Sequence, residues 1–252
     1  MVAHDRREPH SRDRFRGARA AVVSTLPAFL VVTACATSVP GTPVPQGPTV
    51  DGLAATGPVA TPTRPLAELL LPAENFPEPY AAVVLPPQAV AQAAPDLTGI
   101  PVGAKVDPAG CLPPAQDYGP DGTAMAVGTD NGRRATITVE LVAGAAALGD
   151  LRTRLADCPS VETTHRGATA TVTTVPESAP PAPTPGVDTL ELSRTVRSGE
   201  GGDAVTQSMR TRIAQVGDLR VLVTYMSFGD GDPDLDNLGT VYDAAVARVL
   251  AG

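Results

Sequence analysis

The chain contains no tryptophan, only four tyrosines and four phenylalanines, three cysteines and three histidines, of which His165 alone lies beyond residue 10. Each shortage excludes a chemistry. Without tryptophan and with few other rings, the chain lacks the aromatic platforms on which sugars stack. One histidine and two cysteines far apart in sequence, with no C-x-x-C and no histidine pair, do not make a zinc site, so no metal and no cofactor is expected. A Ser-His-Asp hydrolase would have to use His165, and no G-x-S-x-G elbow occurs; Met226-Ser227-Phe228-Gly229 lacks the first glycine. The absence of catalytic signatures points to a protein that is not an enzyme.

A long apolar run is also missing. The uncharged segment 20–34 is too short to cross a hydrocarbon core of roughly 30 Å. It follows Arg6, Arg7, Arg12, Arg14, Arg16 and Arg19 and ends in Val32-Thr33-Ala34-Cys35. A basic head, a short apolar stretch and a small residue before cysteine resemble the bacterial lipobox, which predicts a lipoprotein signal peptide over 1–34 and lipidation of Cys35. Two or more acyl chains on that cysteine would anchor the mature chain stably to the outer face of the cytoplasmic membrane.

Removing 1–34 takes six arginines and three acids from the chain's 19 basic and 27 acidic residues, which leaves 13 and 24 and a formal charge of −11. So acidic a chain is not a nucleic-acid binder, because phosphates require a basic footprint. With Cys35 assigned to lipid, Cys111 and Cys158 remain. In an exported chain an even pair is most simply one disulfide, and closing that loop contributes about 4 kcal/mol on the chain-entropy model.

Residues 35–65 are rich in Pro, Thr and Gly with almost no charge, a composition that cannot bury enough apolar surface to offset ordering. They read as a tether extended at about 3.1 Å per residue, with Thr37, Ser38, Thr42, Thr49, Thr61 and Thr63 as candidates for O-linked sugars. The folded domain is expected over 66–252. It opens with one or two helical turns at Leu66 to Leu71 and a short strand over 80–85, while the Pro/Gly/Asp-rich stretch 95–122 reads as loop pinned by Cys111.

Next comes a hairpin, with strands 123–129 and 135–142 flanking Asp130-Asn131-Gly132, where Asn-Gly suits a type I′ turn. In its second strand Ile137, Val139 and Leu141 alternate with Thr136, Thr138 and Glu140, which predicts one buried and one wet face. Over 145–157 the period lengthens: Leu148, Leu151, Leu155 and Cys158 fall on one helical stripe. Further hairpins turn at Arg166-Gly167 and Gly217-Asp218, and 219–228, apolar on both sides, reads as an interior strand.

The last element is a helix with Asp232 as N-cap, Pro233 at its first position and an inner stripe of Leu235, Leu238, Val241, Tyr242, Ala245, Val246, Val249 and Leu250. The acids from Asp230 to Asp236 resemble the start of an EF-hand loop. Leu235 and Val241, however, occupy the positions that need Gly and Glu, so helix capping accounts for them. About seven strands joined mostly by hairpins, with two packed helices, define an α+β two-layer sandwich around a twisted antiparallel sheet.

The candidate site is the open sheet face, where Glu140, Glu191, Arg197, Arg210 and Arg212 are expected among threonines. Guanidinium forks there could hold an anionic or polar ligand; the alternative is a hydrated face laced with cross-strand ion pairs. Arg194 is expected to point inward and to need a carboxylate partner.

Certain motifs carry a resemblance. Leu69-Leu70-Leu71-Pro72, Asn75-Phe76-Pro77, Val106-Asp107-Pro108-Ala109-Gly110-Cys111 and Leu155-Ala156-Asp157-Cys158-Pro159, followed by a closing acid-capped helix, resemble the actinobacterial sensor-domain lipoproteins. These are similar to the extracellular domain of the mycobacterial serine/threonine kinase H. The resemblance implies an exported, disulfide-containing α+β domain with a cleft and an unidentified ligand, and no catalytic residues to carry over; a small molecule, lipid or cell-wall fragment is the partner expected. This chain departs from the kinase domain in having cysteines for one disulfide where two are expected. The reading is therefore a non-enzymatic ligand-binding or sensing lipoprotein of the cell envelope. An interaction module for an envelope protein is the second reading and a divergent hydrolase the third.

Overall fold

The computed structural model describes residues 60–199, 204–228 and 231–252. The signal peptide, Cys35 and most of the tether lie outside the described residues. Of the tether, 60–65 are described and mostly exposed, and Thr61 Oγ1 accepts the backbone N–H of Asp218 at 3.0 Å.

In chain order the elements are α1 (Leu66–Leu69), β1 (Ala81–Val84), α2 (Pro87–Ala93), β2 (Lys105–Asp107), β3 (Thr123–Asp130), β4 (Ala135–Val142), α3 (Leu148–Asp157), β5 (Ser160–His165), β6 (Ala168–Glu177), β7 (Asp188–Ser198), β8 (Val205–Val216), β9 (Leu219–Phe228) and α4 (Leu235–Leu250). Single 3-10 turns occupy Ala73–Asn75, Ala94–Thr98 and Ala109–Cys111.

The nine strands of the described residues form one antiparallel sheet in the order β1-β3-β4-β9-β8-β7-β6-β5-β2. The sheet is wider than the seven strands expected. Part of the excess is β2, three residues inside the stretch read as loop, which completes one edge by pairing with β5. β9 is interior as expected, because the long return from β4 places it between β4 and β8.

One face buries Ile137, Val139 and Leu141 of β4 and Val221, Val223 and Tyr225 of β9 against α1 and α4. The α4 stripe Leu238, Val241, Tyr242, Ala245, Val246 and Val249 is buried, whereas Leu235 and Leu250, expected on it, are 39% and 36% exposed at the helix ends. Burying each of the larger members contributes on the order of 1.5–3 kcal/mol. Gly239, mid-helix, lies under the end of the Arg212 side chain, where a Cβ would stand 2.7 Å from Nη1.

The opposite face is covered as well, by α3 through Leu148 and Leu155 against Leu190, Leu192 and Ile213, and by α2 through Val90 against Met125. The α+β class and the single antiparallel sheet therefore stand, but the two long helices lie on opposite faces. Among the described residues, the α4 face over β7, β6, β5 and β2 is left without a helix.

One turn and one helix cap differ from expectation. The β3–β4 loop has four residues, with Asp130 Oδ1 accepting the N–H groups of Gly132 and Arg133 at 2.8 and 3.2 Å, and the positive φ falls on Arg134 (53°). That self-capping aspartate closes a longer loop, so no type I′ Asn-Gly turn forms. Arg166 and Gly167, at φ 49° and 84°, make the two-residue turn. The N-cap of α4 is Asp234, not Asp232: its Oδ1 accepts the Asn237 N–H at 3.2 Å, and its Oδ2 accepts Tyr80 Oη at 3.1 Å and Arg133 Nη1 at 2.7 Å. Burial works to raise the Asp234 carboxyl, but the hydrogen bonds from Asn237 and Tyr80 and the Arg133 charge outweigh it and hold it below the usual carboxylate range. Those tertiary partners select the later aspartate.

Candidate functional site

The β4–β9 and β9–β8 registers set Glu140 beside Leu222 and Leu222 beside Ile213, and β7 and β6 add Leu192, Arg194 and Val172 to the same surface. This is the face opposite α4. Above it pass α3, the 3-10 turn Ala94–Thr98 and the segment from Cys111 to Gln116, and between roof and sheet is a cavity of about 220 Å³. Cys111 and Cys158 are disulfide-bonded, with Cα atoms 5.7 Å apart, and both line it. Cys158 caps the C-terminal end of α3. The bond therefore clips an irregular roof segment to a helix already packed on the sheet. Gly99, next to the roof turn, has φ +70°, and a Cβ there would lie 2.6 Å from Val196 Cγ2. Only glycine gives both that backbone and that approach.

Five charged residues line this mostly apolar space, Asp150 and Arg154 from α3 and Glu140, Arg194 and Arg220 from the sheet. Glu140 is 5% exposed; its Oε1 accepts Gln116 Nε2 at 2.8 Å. Burial pushes its carboxyl up to about 7, opposed in part by the Gln116 hydrogen bond and the Arg220 charge. Arg220 donates through Nε to Gln215 Oε1 at 3.0 Å and through Nη2 to the Ala146 carbonyl at 2.5 Å. Its own basicity is lowered by burial and partly restored by Glu140. Arg194 donates through Nη1 to the Leu97 carbonyl at 2.6 Å and through Nε to Thr174 Oγ1 at 3.2 Å, and burial pushes it down to about 10. It points inward as expected. The carboxylate partner expected for it is replaced by a roof carbonyl and a hydroxyl.

The five residues named from the sequence do not form one site. Glu140 is on the cavity face, across the sheet from the rest. The reason is the register: β4 exposes neither side, because α4 covers one and the roof covers the other. Glu191, Arg210 and Arg212 meet on the α4 face, where Arg212 Nε lies 3.0 Å from Glu191 Oε2 and Arg210 Nη1 lies 2.8 Å from Glu177 Oε1 and 3.5 Å from Glu191 Oε1. Arg197 is exposed further along, in register with Thr171 and Thr206. This is a cross-strand ion-pair ladder at the margin of α4. Its four charges, Glu177, Glu191, Arg210 and Arg212, pair with one another across the strands.

The sequence reading, which expected a cleft from the resemblance alone, missed its place on the sheet and the roles of Arg220 and Gln116. A signal was present: β9 is apolar on both sides, and a strand apolar on both sides needs cover on both. That requirement extends to its neighbour β4 and hence to Glu140. His165 ends β5 beside the turn to β6, away from the cavity. Among the described residues no group of three or more His, Cys, Asp or Glu is placed to hold a metal ion, and no helix is long and apolar enough to cross a membrane.

Fold and site together define an α+β domain in which one antiparallel sheet and a disulfide-clipped roof enclose a small cavity containing buried charge. The chain belongs to the family described as Domain of unknown function (DUF5642), whose model matches residues 70–247. Among solved structures it is similar to an uncharacterised protein of Mycobacterium smegmatis, with 20% identity, a TM-score of 0.40 and coverage of 68% of this chain and 86% of that one. It is also similar to the extracellular domain of PknH from Mycobacterium tuberculosis, with 16% identity, a TM-score of 0.46 and coverage of 79% and 100%. No curated protein matches the chain.

Proposed function

We propose that this is a lipid-anchored, non-enzymatic ligand-binding or sensing domain of the cell envelope, and that the cavity between the sheet and the 94–116 roof is where the ligand sits. The observation that carries the reading is the combination of enclosed space and charge: pockets that bind small molecules are mostly apolar with a few fixed polar groups, and here Glu140, Arg194 and Arg220 converge on one surface. At about 220 Å³ the space is below the usual range for drug-sized ligands, which points to a small molecule or to one end of a larger one.

The thermal transition of the protein should rise saturably when an unfractionated, protein-free lipid and cell-wall extract is titrated in. Ligand at 100 times its Kd adds about 2.7 kcal/mol to the folded state. Leu222→Trp, which places an indole in the cavity, should abolish the rise. A flat transition, or an equal rise in the variant, would overturn the reading.

The α4 face over β7, β6, β5 and β2 supports a second reading, since it carries the half-exposed Val175 and no covering helix. A protein partner of the envelope could dock there, and it would be retained by Leu222→Trp.

The anchor rests on the lipobox ending in Cys35 and on the disulfide, which suits an oxidising compartment. Mass spectrometry of the membrane fraction should find an acylated N-terminal Cys35, and Cys35→Ser should release the chain or leave the uncleaved precursor. An unmodified N-terminus in the wild type would remove the anchor from the proposal.

A further inference from the structure

Arg194 has more hydrogen-bonding capacity than the protein uses. A guanidinium carries five N–H donors, and the two acceptors provided, the Leu97 carbonyl and Thr174 Oγ1, are both neutral. Among the described residues no carboxylate lies within ion-pair distance of it. The surroundings make this costly, since Arg194 lines the cavity together with Leu97, Val172, Leu192 and Ile213, and a desolvated charge requires a counter-charge. The one buried acid of the cavity is engaged elsewhere: Glu140 takes the Gln116 amide and lies in the field of Arg220. No Arg194 nitrogen is sealed off without a partner, so its unused donors are accessible on a side chain that lines the cavity. Asp150 and Arg154, which also line the cavity, stand on α3 at the roof.

We infer that the cavity takes a small amphiphile whose anionic headgroup, a carboxylate in the simplest case, seats on Arg194 and whose apolar tail lies along Leu192, Ile213 and Leu222. This rests on the cavity being a ligand site, and specifies what it selects. The fork of a guanidinium matches a carboxylate in two parallel hydrogen bonds, and Nη1 is held by the Leu97 carbonyl so that the fork is fixed before the ligand arrives. A water in the liquid occupies about 30 Å³, close to one methylene, so a 220 Å³ cavity holds a tail of about seven carbons.

Octanoate and 1-octanol share that tail and differ in the head. Isothermal titration of the full, unacylated chain should show octanoate binding at least tenfold more tightly than octanol. Arg194→Gln should bring the ratio close to one by weakening the acid alone, and Arg194→Lys should keep most of the preference. Equal binding of acid and alcohol by the wild type would overturn the anionic headgroup while leaving the cavity as a ligand site. Failure of both to bind at millimolar concentration would overturn the two together. Should Arg194→Gln lose its fold through the Leu97 contact, the wild-type ratio still decides.

Discussion

Replacing both Cys111 and Cys158 by serine should lower the free energy of unfolding by about 2–5 kcal/mol, the range found for native disulfides in small exported domains. The separation of 47 residues gives about 4 kcal/mol on the chain-entropy account. The loss should be local before it is global. Cys111 lies in a single 3-10 turn followed by Pro113, Pro114 and Gln116, with no helix or strand until β3. Cys158, by contrast, is held by α3 packed through Leu148 and Leu155. Without the bond the roof keeps the β2–β5 pairing and the Gln116 contacts but loses its clip. Urea denaturation gives the first quantity. Limited proteolysis read by mass spectrometry should give new cuts between residues 95 and 122 under native conditions. Two free thiols in the folded wild type would refute the bond, and an unchanged cutting pattern in the double variant would refute its role as the clip. Because Cys111 and Cys158 line the cavity, binding of octanoate should weaken by more than the change in global stability at the same urea concentration.

The second large effect belongs to Glu140. Its carboxyl is raised from 4.5 to about 7 by burial, so between those values the folded state binds a proton that the unfolded state has released. Stability must then fall as pH rises. The contribution is fully present below about pH 4.5, is lost as pH passes through 7, and is absent above it. The difference amounts to about 3 kcal/mol. Glu140→Gln removes the titrating group while keeping the shape and a partner for the Gln116 amide. The variant should therefore match the wild type near pH 4.5 and be more stable by up to about 3 kcal/mol at pH 8, with the gap opening between pH 5 and 7. Chemical denaturation of both proteins across that interval measures the gap directly. A gap that does not change with pH would show that the carboxyl is not raised. Asp234 pulls the other way, since its lowered carboxyl favours the folded state above its unfolded value. Comparing variant with wild type cancels that background.

Both effects arise from one design, in which the sheet face opposite α4 is closed without being filled. A sheet that only needed to be buried would put leucine or valine at 140, 194 and 220. Replacing buried charges with apolar residues of similar volume is often neutral or stabilising. Keeping Glu140, Arg194 and Arg220 there costs stability, and the cavity they surround is the reason offered here for keeping them.

Several local patterns were legible in the amino-acid sequence. Alternation in 135–142, the turns at Arg166-Gly167 and Gly217-Asp218, the helical stripes of α3 and α4 and the pairing of the two remaining cysteines all follow from periods and spacings within about 20 residues, or from a count of two. An interior position for β9 was legible for the same reason, because apolar residues on both sides of a strand demand cover on both. What the sequence left undecided is which side of the sheet each strand's alternation faces. The side-chain period of a strand is two, so a register shift of one residue exchanges its faces. The register that matters joins β4 to β9 across some 80 residues of chain, which no local pattern encodes. That pairing placed Glu140 with Arg220 and apart from Glu191, Arg210 and Arg212. β2 was invisible because Lys105–Asp107 has no period of its own and becomes a strand only when β5 presents a free edge. Asp234 replaced Asp232 as the cap because Tyr80 and Arg133 reach it from β3's neighbourhood, far away in sequence. The composition and spacing of this chain thus determine most of its elements and the pairing of its two remaining cysteines. The long-range register alone decides which charges meet in the cavity, since a strand specifies its two faces but not their neighbours.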